Sequence, residues 1–296
     1  MTYTNLLAPE WAHLRSKHGI SWTRHTWNPL VGCSEASPGC TNCYARKMTA
    51  RLAAMSLSKQ GKGEDPGKLE LYQQVVTQQG RWTGKALLWE PELLEPRRWR
   101  KPRLVFVNSM SDLFHESLRI GEVEQIFAAM DYNGRHIYQC LTKRPDRALH
   151  FVQKRSPVAH IWIGFSVCTQ TEMDRILPIA QQVKALGWHT WFSVEPQLGP
   201  INVHPSELSR AIDWLVTGGE SGNGARHYGD EWAAQWVSVC RAANIPCFVK
   251  QLGTVWSRQN GDPGLKGDDP SRWLESIRVQ ELPHEMVEVL LKCPCL

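Results

Sequence analysis

Residues 33–46 read CSEASPGCTNCYAR, which separates Cys33, Cys40 and Cys43 by six and then two residues, with no fourth cysteine nearby. Thiolates hold zinc and iron–sulfur clusters. A structural zinc ion takes four protein ligands and a catalytic one keeps a position open. The three cysteines with His25 or a water would suit either. A cubane cluster has four irons, so three thiolates leave one iron free to bind a small molecule. Three buried thiols holding nothing is the remaining reading. The polar residues around Pro38–Gly39 and Thr41–Asn42 argue against it.

Such residues need elements to position them. Near-continuous runs rich in β-branched and aromatic residues cover 24–32, 85–90, 103–109, 136–142, 159–167, 188–194, 211–219 and 245–251. Runs of this kind suit parallel strands covered on both faces. Helical segments are predicted over 119–132, 170–186, 229–243 and 275–291. In 229–243, Asp230 is the expected N-cap, and Trp232, Trp236, Val239 and Ala243 are the expected buried face. This rhythm predicts an α/β fold, a (βα)8-type or near-closed TIM-like barrel with parallel strands. One domain over 1–296 is expected, with the cysteine loop after strand 1. The polar, glycine-rich stretches 56–84 and 257–272 read as loop insertions.

In a parallel barrel the site forms where the strands end. The first run leads into Cys33 and the second ends at Glu90. The third reaches Asn108, Ser111 and Asp112, and the fourth Thr142, Lys143 and Arg144. The remaining runs end at Ser166 and Cys168, Ser193 and Glu195, Glu220 and Ser221, and Lys250 and Gln251. Carboxylates among apolar neighbours require partners, which Lys143, Arg144 and Lys250 could supply. Glycines at 218, 219, 222 and 224 allow close backbone approach to a ligand.

Hydrophobic residues make up 42% of the 296 and charged residues 21%, which excludes disorder as the main state. The net charge of +5 is compatible with a polyanionic partner without requiring one. No apolar run is long enough for a membrane helix, and the opening residues lack signal-peptide order. With nine cysteines, an odd number, a reducing cytoplasm is expected. Cys293 and Cys295 alone are too few for a second cluster.

The chain resembles the radical S-adenosylmethionine superfamily, and within it the phage-associated three-cysteine-motif proteins. The resemblance is carried by TWNPLVGCSEASPGCTNCYA (26–45), VFVNSMSDLFHE (105–116), LTKRP (141–145), SVEPQLGPI (193–201), TGGESGNGAR (217–226) and PCFVKQLG (246–253). The superfamily's usual cysteine spacing is three then two, where this chain has six then two. The resemblance implies that Cys33, Cys40 and Cys43 hold a [4Fe–4S] cluster and that S-adenosyl-L-methionine occupies its open iron. It assigns Glu90 to the methionine amino group, Lys143 or Arg144 to the carboxylate, and Ser166 or Glu195 to the ribose. Asn108, Asp112, Glu220, Lys250 and Gln251 are left for the substrate and catalysis. It also implies a flavodoxin- or ferredoxin-type reductant protein as partner.

A nucleic-acid base or nucleotide, as in phage DNA modification, is the expected substrate. EPRRWRKPR (95–103) would bind the polyanion, with Trp99 stacking on a base. Cys140 or Cys168 would be available to pass a hydrogen atom. Two other classes fit the residues: a zinc-stabilised barrel that binds nucleic acid or a protein partner, and a metal-dependent barrel hydrolase using the glutamates.

Overall fold

The computed structural model describes residues 3–15 and 19–292, so Cys293 and Cys295 lie outside the described residues. Seven of the eight apolar runs form one parallel sheet. Its strands are β1 (His25–Trp27), β2 (Leu104–Val107), β3 (Ile137–Thr142), β4 (Ile161–Ser166), β5 (His189–Val194), β6 (Trp214–Gly218) and β7 (Cys247–Gln251). Each pairs with its chain neighbours, in the order β7-β6-β5-β4-β3-β2-β1. The sheet is a curled half-barrel rather than a closed one.

Period-two alternation separates the two faces. Val105, Val107, Ile161, Ile163 and Phe165 pack outward under the helices. Leu104, Phe106, Trp162, Trp191, Trp214 and Phe248 point inward. The inward aromatics close around Trp22, whose ring lies 4.8 Å from Phe106, 5.1 Å from Trp191 and 6.0 Å from Trp214. Met286, Val287 and Leu290, from the helix His284–Leu291, join the same cluster.

The expected strand at 85–90 is absent from this sheet. Leu87–Leu88 instead pairs antiparallel with Leu30–Val31 in a separate two-stranded piece. Glu90–Leu94 then turns into a 3-10 helix carrying proline in its first turn, which no ladder continues past. On the other side, the edge of β7 is covered rather than joined to β1. Val249 N–H donates to Val279 O at 2.8 Å, and Phe248 bridges Gln280. Glu281–Pro283 continues this cover by pairing with Tyr3–Asn5. That use of the backbone divides the expected helix 275–291, leaving a 3-10 turn at Glu275–Ile277 and α-helix only at His284–Leu291.

The stretch 56–84 is partly helical. A long helix, α1, spans Tyr44–Gly61, and Leu69–Val75 forms a second, packed through Tyr72 and Val75 against Val31 and Ala53. Likewise Gly253–Gln259 carries a helix into the start of 257–272. In the helix Asp230–Ala243 the N-cap is Gly229, not Asp230. Its buried face is Ala233, Trp236, Val237 and Cys240, so Trp232, Val239 and Ala243 flank the buried stripe instead of forming it. Among the described residues no helix is long and apolar enough to cross a membrane.

Trp99 is also placed differently. It is buried, with its ring 4.5 Å from His25 and 5.4 Å from His136, near the N-terminal ends of β1 and β3. No base can stack on it there. Burial lowers the His136 pKa to about 4, against the pull of the Pro96 carbonyl and with help from Arg135, Arg103 and His25. The unfolded chain, with its histidine near 6.5, therefore binds more protons between the two values, and stability rises with pH across that window. The contribution is full above pH 6.5 and is lost as pH falls through 4. It amounts to about 3 kcal/mol. Urea unfolding at stepped pH should show this acid loss reduced in His136→Phe; parallel curves for the two proteins would refute it.

Candidate active site

The chain leaves β1 through Pro29 and turns sharply at Gly32, whose φ of +87° favours glycine. A Cβ there would lie 2.3 Å from Lys85 O. Beside it, Asn108 follows β2 in the left-handed region at φ 60°. Its N–H donates to Trp27 O at 2.7 Å, and its Oδ1 accepts from Leu30 N–H at 3.2 Å. Cys33 therefore emerges at the C-terminal rim of the sheet. Cys40 closes the 3-10 turn Pro38–Cys40, capped by Ser37, and Cys43 is the N-cap residue of α1.

The three cysteines line one cavity of about 230 Å³. Asn108, Asp112, Lys143, Arg144, Ser166, Glu195 and Lys250 line it too, so ten of the thirteen expected site residues meet at one place, while Gln251 lies outside the lining and donates to Gly219 O at 2.9 Å. Glu90 does not join them. It is exposed at the start of its 3-10 helix, and the strand that would have delivered it is absent from the sheet. Glu220 lies outside the lining as well, with a different role.

Asp112 and Arg144 are bound to the protein itself. Asp112 Oδ1 accepts from Thr142 Oγ1 at 2.7 Å and Phe114 N–H at 3.0 Å, and Oδ2 from Lys143 N–H and Arg144 Nη1, each at 3.0 Å. Arg144 Nε donates to Glu116 at 2.9 Å. Its Nη2 reaches Ser34 Oγ at 2.6 Å and Ser34 O at 3.3 Å, and Nη1 lies 3.8 Å from Cys33 Sγ. All five guanidinium donors are thus used, leaving none for a ligand carboxylate.

Glu220 and Arg226 clamp the other side of the cysteine loop. Arg226 Nη2 meets Glu220 Oε1 at 2.7 Å, and its Nη1 donates to Pro38 O at 2.9 Å. Asn42 Nδ2, between Cys40 and Cys43, donates to Glu220 Oε2 at 3.1 Å and to Gly224 O at 2.8 Å. Burial raises the Glu220 pKa, but the bonds from Arg226 and Asn42 outweigh it and hold the carboxyl below its usual range. The sequence does not single out Ser34, Asn42, Glu116 or Arg226, although all lie within the quoted motifs.

The cavity keeps several groups for a ligand. Asn108 Nδ2 and Ser166 Oγ are buried without a hydrogen-bond partner, an arrangement that costs stability unless something fills it. Lys250 Nζ stands 3.0 Å from Glu195 Oε1, although without hydrogen-bond alignment. Lys143 has no ion-pair partner among the described residues, which makes it the cavity's uncommitted cation. Burial opposes its charge, but Cys168, Cys40, Cys43 and Asp112 around it raise its pKa on balance.

Among the described residues no group of three His, Cys, Asp or Glu side chains is arranged to hold a metal ion. His25 is remote from the thiols, bonded to Arg103 at 3.2 Å beside Trp99. Burial, aided by Asp112 and opposed by Arg144, pushes the Cys33 thiol up to about 12. A metal bound at this sulfur would displace its proton. Cys140 faces Met130 in the outer core, and Cys168 lies behind the loop against Ser37; neither lines the cavity.

Removing Asp112 leaves Arg144 with an incomplete set of partners in a buried place. Asp112→Ala is expected to lower unfolding free energy by about 3 kcal/mol. Guanidinium unfolding checks this; a wild-type midpoint would show that the pair does not support the rim.

Comparison with known proteins adds a family. No curated protein matches the chain. Among solved structures, a mutant of spore photoproduct lyase aligns with a TM-score of 0.39 at 13% identity, covering 69% of this chain and 59% of that one. A PaMucR phosphodiesterase in complex with c-di-GMP aligns at 0.28 and 14%, covering 57% and 64%. The chain thus spans under two thirds of either, and at these scores neither likeness carries an argument. The sequence pattern of a family described as "protein of unknown function (DUF5131)" matches residues 17–285, and the chain belongs to that family.

Proposed function

We propose that this chain is a radical S-adenosylmethionine enzyme whose Cys33, Cys40 and Cys43 hold a [4Fe–4S] cluster. The observation that carries the reading is the meeting of three thiols with an uncommitted lysine and two unpaired polar groups at the rim of a parallel half-barrel. Held by these three cysteines, such a cluster would supply one-electron reductive cleavage of S-adenosylmethionine, with the electron from an external reductant of the flavodoxin or ferredoxin type, to start hydrogen abstraction from the substrate.

This chain's residues supply position and charge. Lys143 is placed to hold the methionine carboxylate, a task that Arg144 cannot share. Ser166 Oγ and Asn108 Nδ2 are available to hydroxyl or ring acceptors of the nucleoside part. Glu195, oriented by Ser193 Oγ at 3.3 Å and Lys250, is placed to accept from a ribose hydroxyl or the amino group. The aromatics around Trp22 close the inner end of the half-barrel, so ligands reach the cavity from the rim.

Protein reconstituted anaerobically with iron and sulfide and then reduced should give a [4Fe–4S]⁺ paramagnetic resonance signal that changes on adding S-adenosylmethionine and is lost in Cys40→Ala. Colourless protein loaded with zinc would overturn the proposal. In Lys143→Met the cluster signal should remain, while the S-adenosylmethionine needed to perturb it rises at least about tenfold, the effect of one charge-assisted hydrogen bond. Glu90→Ala should match wild type in the same titration, and a comparable weakening there would restore the assignment that the fold removes.

A further inference from the structure

A second, larger depression of about 1050 Å³ adjoins the cavity and shares Ile20, Tyr44 and Lys250 with it. It follows the unsealed side of the half-barrel, between Ile20–Ser21 ahead of β1 and Lys250–Gln251 of β7. We infer that this groove binds the phosphodiester backbone of a single-stranded nucleic acid and delivers one base to the cavity. The inference rests on the radical-enzyme reading for what happens in the cavity, but not for the binding itself.

Charge is the first argument. Arg15, Lys47, Arg51 and Lys266 are exposed along the groove, and among the described residues none has an ion-pair partner. Asp268 and Asp269 are the acidic residues in the lining, and Asp269 is turned to Ser271, whose N–H and Oγ it accepts at 3.0 and 2.8 Å. Cations that outnumber the two carboxylates of a concave surface suit a polyanion.

Placement is the second argument. Tyr44, Lys47 and Arg51 stand at i, i+3 and i+7 of α1, hence on one helix face. That helix begins directly after Cys43, so the face runs from the thiols into the groove. Tyr44 is 58% exposed at the junction, its hydroxyl tied to Ser109 O, and Trp82 lines the cavity beyond. An exposed aromatic beside backbone-binding cations is the arrangement that stacks unpaired bases. An acidic protein would find the charges but has no use for the stacking ring or the adjoining cavity.

The test is fluorescence anisotropy of a labelled single-stranded oligodeoxythymidine with full-length protein, with and without the reconstituted cluster, at stepped salt. Binding should weaken linearly in log–log form with salt, and the slope should shrink by about 0.7 for each phosphate that a variant no longer neutralises. The triple variant Lys47→Glu/Arg51→Glu/Lys266→Glu should lose at least about tenfold in affinity. Tyr44→Ala should lose about fivefold or more at unchanged slope. Equal binding by the triple variant, equal competition by poly-glutamate, or no binding at low salt would each overturn the inference. Iron content and circular dichroism of each variant report folding and cluster assembly separately. Failure to bind with normal iron loading therefore sinks the groove and leaves the proposed chemistry standing, whereas binding by protein that takes up no iron on reconstitution does the reverse.

Discussion

The ion pair between Asp112 and Arg144 ties the loop after β2 and the end of β3 to the start of the cysteine loop. Removing two opposite charges from water costs several kcal/mol for each unless every donor and acceptor finds a partner. Here both are fully engaged, Asp112 through four hydrogen bonds and Arg144 through its whole guanidinium fork. The loop after β2, the end of β3 and the start of the cysteine loop are thereby bonded to one another. Lysine could not replace Arg144, because a single ammonium cannot reach Glu116, Asp112 and Ser34 from one planar group.

A closed barrel would have sealed β1 against β7. Here the eighth strand is missing, and the edge of β7 is taken by Val279 and Gln280. The interior needs filling in another way, which is why Trp22 and the helix His284–Leu291 are drawn into the concave face. With the inner end packed by tryptophans, exposure is confined to the C-terminal rim and the unsealed flank. The small cavity and the large groove occupy those two places.

Much of this is legible in the sequence. Strands buried on both faces announce themselves as continuous apolar runs, and the polar residues ending them at Asn108, Lys143, Ser166 and Glu195 do meet in one cavity. Composition cannot separate Leu87–Leu88 from a true barrel strand, because a short apolar run carries no information about its partner. That ambiguity misplaces Glu90. Trp99 among basic residues looks like a stacking surface, yet its indole is packed between two histidines. A charge run shows that a segment reaches water at some point, not which of its rings stays dry. Arg144 stands out by its place at a strand end, but its true partners do not, since long-range pairing to Glu116 and Ser34 leaves no local signal.

The unusual spacing of the cysteines is met by the same long-range bonds. Six residues between Cys33 and Cys40 would make a floppy loop on their own, with an ordering cost of about 1–2 kcal/mol per residue. Arg144 fixes the loop at Ser34, Arg226 fixes it at Pro38, and Glu220 and Gly224 fix Asn42. Gly39 lets the chain lie against Cys168, where a Cβ would come within 2.4 Å of the sulfur. Small metal domains obtain their order from the metal and unfold without it. In this chain those protein–protein bonds hold the loop, so a group bound by the three thiols would not have to supply that free energy.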